Sequence, residues 1–261
     1  MSYRNKIVIL IGLIILAIAV VFVVEPIPQD LAYHQFSDTK PLWGMPNFWN
    51  VLSNLPFMMA GLYGLAAMTR LNSGLITGVV KTASLLFFVG LFFTGIGSGY
   101  YHLSPSNSTL VWDRLPMTIA FMAFFTFVLA MHLGKKTACL LLWPLMMVGI
   151  ASVFYWDYTE SIGAGDLRFY AMIQFLPMLL IPAIVVMFPT ADYNAANVWA
   201  VIAVYFTAKV SEYFDYQLYE LIGISGHSLK HMIAALAGIA FLYAIKGIMP
   251  ARNHSSHSTA G

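Results

Sequence analysis

Residues 79–102 read VVKTASLLFFVGLFFTGIGSGYYH. After Lys81 the stretch carries no charge until it closes on Ser98 and His102, four residues apart. A helix needs about 20 apolar residues to cross a hydrocarbon core of ~30 Å, and this run is long enough. Ser98 and His102 sit one turn apart, so they share a helix face. Polar groups inside a membrane bundle are costly and usually functional. One segment therefore announces both a membrane fold and a place for chemistry at one end of it.

The rest of the chain agrees. Of its 261 residues, 60% are hydrophobic and 9% charged, against roughly 25% charged in an ordinary soluble domain. A water-soluble fold of this size cannot hide so much apolar surface, so lipid must be the solvent for most of it. An aromatic share of 15% and 15 Met residues suit a bundle that also receives an apolar ligand. The net charge of +2 and the lack of a long basic run exclude a nucleic-acid partner. The single Cys139 excludes an intramolecular disulfide and a cysteine-rich zinc site. A metal here must be held by His, Asp or Glu.

The expected fold is all-α, a polytopic transmembrane helix bundle. Spans are predicted near 7–24, 48–69, 79–102, 113–132, 137–155, 168–188, 196–219 and 228–248. Pro56, Pro144, Pro177 and Pro182 fall inside them, where membrane helices tolerate kinks. Residues 1–26 are predicted as an N-terminal transmembrane anchor or signal segment. An anchor is favoured, because the only Ala-Ile-Ala pattern (Ala17–Ala19) lies within the apolar run. Residues 27–250 form one membrane domain, and 251–261 a disordered polar tail. With the N-terminus inside, Arg4, Lys6, Arg70, Lys81, Lys135, Lys136, Lys246 and Arg252 are inner. Lys40, Arg114, Arg168 and Lys230 are outer, a bias that supports this orientation.

Histidines locate the chemistry. His254 and His257 lie in the tail, and His132 stands alone at an inner helix end. His227 and His231 lie four apart at the start of the last span, on one helix face. His102 ends its own span at the same outer end. Three neutral imidazoles leave a tetrahedral zinc with one open position for water, whose pKa zinc lowers from 15.7 to about 7. Asp113, after a short loop, is placed to take a proton and return it to a leaving amine. Ser98 is placed to donate to an oxyanion. The plainer alternative is a histidine pair bonded to neighbouring helices and an Asp113 that caps its helix. Tyr100, Tyr101, Trp112, Tyr155, Trp156 and Tyr158 read as an aromatic belt at the outer interface; Tyr101 and Trp112 are also candidates for substrate contact. One of Glu212, Asp215 and Glu220 is placed to pair with Lys209 or a buried arginine.

At these residues the sequence resembles the alkaline ceramidases, within the CREST superfamily of seven-helix membrane hydrolases. The resemblance rests on Asn47-Phe48-Trp49-Asn50-Val51-Leu52-Ser53-Asn54, on Gly97-Ser98 with His102, on Asp113 with Pro116-Met117, and on the His227/His231 pair. It covers roughly 48–248 and implies a seven-helix ceramidase-like core plus one N-terminal helix. It implies zinc held by His102, His227 and His231, Asp113 as acid and base, Ser98 as oxyanion partner, and hydrolysis of ceramide to fatty acid and sphingoid base. Two departures stand out. Asn47 occupies a place where a calcium-binding glutamate is expected, so Ca2+ is doubtful, although Asp30, His34 and Asp38 at i,i+4 spacing are placed to bind a cation, cap a helix or be solvated. Arg114 follows Asp113 where many relatives carry another acid.

The substrate expected is a membrane lipid, ceramide or another N-acyl lipid. Short loops and a compact chain suggest a bacterial inner membrane with the site facing the periplasm. The alternatives are a lipid-ester or lipid-anchor remodelling enzyme of the same superfamily, or a membrane receptor or pore with a closed structural zinc. Oligomeric state is not legible in the sequence.

Overall fold

A computed structural model describes residues 1–71, 74 and 76–248 of the protein; the tail, with Arg252, His254 and His257, lies outside the described residues. The elements are α1 (Tyr3–Val23), a 3-10 turn (Leu31–His34), α2 (Phe48–Leu52), α3 (Leu55–Arg70), α4 (Gly78–Leu103), α5 (Asn107–His132), α6 (Lys135–Ser161), α7 (Arg168–Met187), α8 (Ala196–Tyr213), α9 (Asp215–Ile222) and α10 (Gly226–Lys246). Among the described residues seven helices are long and apolar enough to cross a membrane, counting α2 and α3 as one span. The all-α bundle expected from hydropathy is therefore present.

Helix α5 is the axle of the bundle. It is buried over 67% of its most apolar window, against 11% for α1. It packs on α4, α6 and α7, while α3 lies against α4 and α10. Phe87, Phe88, Phe124, Phe127 and Phe241 interlock by edge and tilted ring contacts between α4, α5 and α10. In lipid no hydrophobic drive separates one helix from another, so such ring packing and close backbone approach must hold the bundle.

Two span boundaries differ from expectation. Helix α5 begins at Asn107 and not at 113, because Ser106 caps it: its side chain accepts from the Thr109 N–H and Thr109 returns the bond. Asp113 thus lies well inside the helix, and the capping role is taken. The span expected over 196–219 ends at Tyr213, and α9 restarts at Asp215. Helix α8 is less apolar than the others because it carries Lys209 and Glu212, yet it still runs from end to end. Tyr193, just before it, bonds His132 at 2.7 Å at one end of the bundle, and Glu212 in its last turn meets Lys230 of α10 at 2.6 Å at the other. Pro56 opens α3 at its first turn instead of kinking it.

Helix α1 lies outside the core, packed on α7. Phe22 meets Phe169, Tyr3 meets Phe188, and Arg168 Nη1 donates to the carbonyls of Val21 and Val24. Arg168 also grips Asp166 through Nε and Nη2 at 2.8 Å each. These hydrogen bonds hold the Asp166 carboxyl below the usual carboxylate range. From α1 the chain crosses the end of the bundle as residues 24–47 before α2 begins.

Candidate metal centre and active site

Helices α4 and α10 bring three imidazoles together at one end of the bundle. His102, His227 and His231 are 1%, 5% and 4% exposed, and their candidate ligand nitrogens all lie within 4.8 Å of one another. The His102 and His227 Nε2 atoms are 3.3 Å apart. Two ligands of a tetrahedral ion with bonds of about 2.0–2.1 Å stand about 3.3–3.4 Å apart, so this spacing fits a metal edge. Among the described residues, this is the single group of three or more His, Cys, Asp or Glu side chains able to share an ion.

Neighbouring groups orient these rings. The Ser53 hydroxyl donates to Asn50 O at 3.1 Å and lies 2.9 Å from His231 Nδ1. Its one proton being used, it accepts from Nδ1–H, which leaves Nε2 of His231 free for an ion. Asn47, held at φ +47°, donates its Nδ2 to the His102 carbonyl at 2.9 Å. Asp215 accepts from the His227 N–H at 2.7 Å and so sits on the exposed amides that open α10. Glu212 lies between Lys209 and Lys230 at 2.7 and 2.6 Å and 3.9 Å from His227 Nδ1. Its single charge is shared between the two ammonium groups beside the imidazoles. His102 Nδ1 is buried with no hydrogen-bond partner among the described residues. A cluster of neutral nitrogen donors with one free ring nitrogen fits a borderline cation such as zinc.

Ser98 and Asp113 face the same space. A side chain on Gly97 would put its Cβ 1.9 Å from Trp112 O, so only glycine lets α4 press onto the α5 backbone there. That contact brings Ser98 and Asp113 to one side of the same cavity. Both, with His231, Glu212 and Lys230, line the head of a cavity of about 330 Å³. Below them its wall is apolar, including Phe57, Leu91, Met117, Phe124 and Met178. Helix α8 packs on α10 and α9, whereas Gln174 of α7 reaches it through a hydrogen bond to Tyr205 at 2.8 Å. Phe175 of α7 lines the cavity and is also exposed on the bundle surface.

Residues 24–47 cover the other side. Phe36, 8% exposed, lies over the His102 and His227 rings with centroids 4.7 and 4.6 Å away. His34 anchors this cover to Tyr101 at 2.8 Å and Asn107 at 2.9 Å, and the Ser37 N–H donates to Asp215 at 3.0 Å. The residues considered for a second cation are used locally. Asp30 accepts from the Ala32 N–H to cap the 3-10 turn, and Asp38 accepts from the Lys40 N–H. Neither joins a shared ligand cluster among the described residues. Tyr101 is bonded to His34 and packed in a small core with Phe36 and Trp156, and Trp112 is 56% exposed; neither lines the cavity. Within the expected aromatic belt Tyr100, Tyr155 and Tyr158 are exposed like Trp112, while Trp156 is buried.

Several site residues escaped the sequence reading. Ser53 lay inside a quoted motif without a role, and Phe36 and Lys230 had no spacing signal. Glu212 was one of three undecided acids, and its position in the same α8 turn as Lys209 was the clue available.

The Ceramidase family profile matches residues 44–221, and the chain belongs to the ceramidase family. The match takes in Ser98, His102, Asp113 and Glu212 and stops before α10. No curated protein matches the sequence. Membership makes the chain an integral-membrane hydrolase of the ceramide-acting class, consistent with its multi-pass bundle.

Proposed function

We propose that the chain hydrolyses the amide bond of ceramide or a related N-acyl lipid, with zinc held by His102, His227 and His231. The observation that carries this is a juxtaposition. His231 lines the head of an apolar cavity together with Asp113 and Ser98, and it shares a buried cluster of candidate ligand nitrogens with His102 and His227; the cavity suits an acyl chain. A bound zinc supplies Lewis acidity and a nucleophile available at neutral pH. The protein residues do the rest. The apolar wall takes the acyl chain and so fixes the carbonyl at the polar head, converting binding into orientation. Asp113 accepts a proton from the attacking water and delivers it to the departing nitrogen, so that acid and amine leave as separate products. Ser98 donates to the carbonyl oxygen as negative charge develops there. Phe36 shields the imidazoles and limits the water that reaches them.

The test is fatty-acid release from a panel of ceramides by detergent-purified protein, beside Asp113→Asn and His231→Ala. Asp113→Asn is expected to lose at least about 10²-fold in kcat while keeping its zinc. His231→Ala is expected to lose the metal, measured by elemental analysis, together with activity. Release undiminished in Asp113→Asn would remove Asp113 from the chemistry. Cleavage of lipid esters but of no amide would move the protein to the ester-acting reading.

A further inference from the structure

Arg114 has no ionic partner that explains its burial. It is 5% exposed near the outer end of α5, and no carboxylate lies within ion-pair distance of it among the described residues. Its guanidinium stacks 4.0 Å from the Trp156 ring and 4.5 Å from Tyr170. Nη2 donates to Gln29 at 2.7 Å, while Nη1 is buried with no acceptor. Ring stacking offsets part of the desolvation of a guanidinium but supplies no counter-charge.

The side chain also lines the cavity next to Asp113. The ionisable lining groups other than His231 and the tyrosines are Asp113, Arg114, Lys209, Glu212 and Lys230, three cations against two carboxylates. The lining therefore carries one net positive charge, and Arg114 is its cation with no ion-pair partner among the described residues, both lysines being paired with Glu212. In a low-dielectric cleft such a surplus attracts an anion strongly. A planar fork with a free N–H edge matches a carboxylate or phosphate better than a hydroxyl.

We propose that Arg114 is a specificity-determining residue that receives an acidic group on the amine portion of the substrate, so that the preferred lipids are N-acyl compounds with an anionic head. With the acyl chain in the apolar wall and the amide at Asp113, the amine portion lies toward the outer end, where Arg114 stands. Tyr33, 37% exposed and 5.8 Å over the guanidinium, is the one ring of the three that lies outside the long helices, in the 3-10 turn Leu31–His34. The proposal rests on the amide-hydrolysis reading and extends it to the substrate class.

The experiment uses the full chain in detergent with three oleoyl amides: N-oleoylglycine (carboxylate), N-oleoyl phosphoethanolamine (phosphate) and N-oleoylethanolamine (neutral). The wild type is expected to favour at least one acidic lipid over the neutral one by about tenfold or more in kcat/KM, the scale of a charged hydrogen-bonded pair. Which acid wins separates a carboxylate head from a phosphate head. Arg114→Gln is expected to raise KM for that acidic lipid by about tenfold or more, with kcat nearly constant and the neutral lipid unaffected. Arg114→Lys keeps the charge without the fork and should fall between the two, which guards against a Gln variant that fails to fold. Equal use of all three lipids by the wild type, or an equal loss on all three in both variants, would overturn the proposal. Binding is read separately in Asp113→Asn through Trp fluorescence. Selective binding of acidic lipid there, with no turnover of any amide by the wild type, would sink the amide reading and leave the anion site standing.

Discussion

Ser53 has a single hydroxyl proton, and its donation to Asn50 O decides which nitrogen of His231 faces an ion. Ser53→Ala should leave the fold intact and weaken zinc binding by about 10–100-fold, measured by competition with a coloured chelator. Unchanged affinity would mean that helix packing alone orients the ring. This partnership spans 178 residues of sequence, and no local pattern encodes such a distance. The meeting of His102, His227 and His231 was legible because helical periodicity places the last two on one face and the count of crossings brings His102 to the same end. Ser53, Phe36 and Glu212 were not, since their roles come from contacts across the bundle. The acids at 30 and 38, read as cation ligands, caps or solvated groups, each accept a backbone N–H two residues on.

At the scale of the elements, close helix approach sets the chemistry. Gly97 lies against Trp112 O, and a Cβ on Gly226 would stand 2.0 Å from Ser211 O. One contact positions Ser98 against Asp113, and the other seats the start of α10 on the end of α8. Gly97→Val is expected to push α4 from α5, lower stability by roughly 1–3 kcal/mol and abolish turnover. Thermal unfolding in detergent and an amide assay on the same preparation would show both; a variant with normal activity would mean that the two helices can part without harm. Hydropathy revealed the spans but not their ends. A polar cap at Ser106 added six residues to the start of α5, and the break after Tyr213 had no proline or glycine to mark it.

For the whole molecule, Arg168 is the clasp between the outer helix and the core. Its pairing with Asp166 stabilises the folded state above the unfolded carboxylate pKa of about 3.9. Because the folded carboxyl titrates lower, that contribution is complete near neutral pH and fades as the pH falls below about 4. Asp166→Asn is expected to lower the melting temperature at pH 7 and to flatten its acid-side decline. An unchanged melting profile would show the clasp to be dispensable. Removal of residues 1–24 deprives Arg168 of the Val21 and Val24 carbonyls and leaves the cover over the imidazoles held by contacts such as those of His34 with Tyr101 and Asn107. Such a chain should insert yet bind zinc less tightly, as the same chelator competition would report.

The division of the imidazoles between α4 and α10 bears on how the protein is made. A chain that has emerged only as far as α9 holds one of the three histidines, and its cavity lacks the wall that α10 completes. On the proposed function, hydrolytic competence therefore waits for α10. A stalled or truncated product meets the surrounding lipid as an inert bundle, and the cell is spared a half-built hydrolase loose among its own bilayer components.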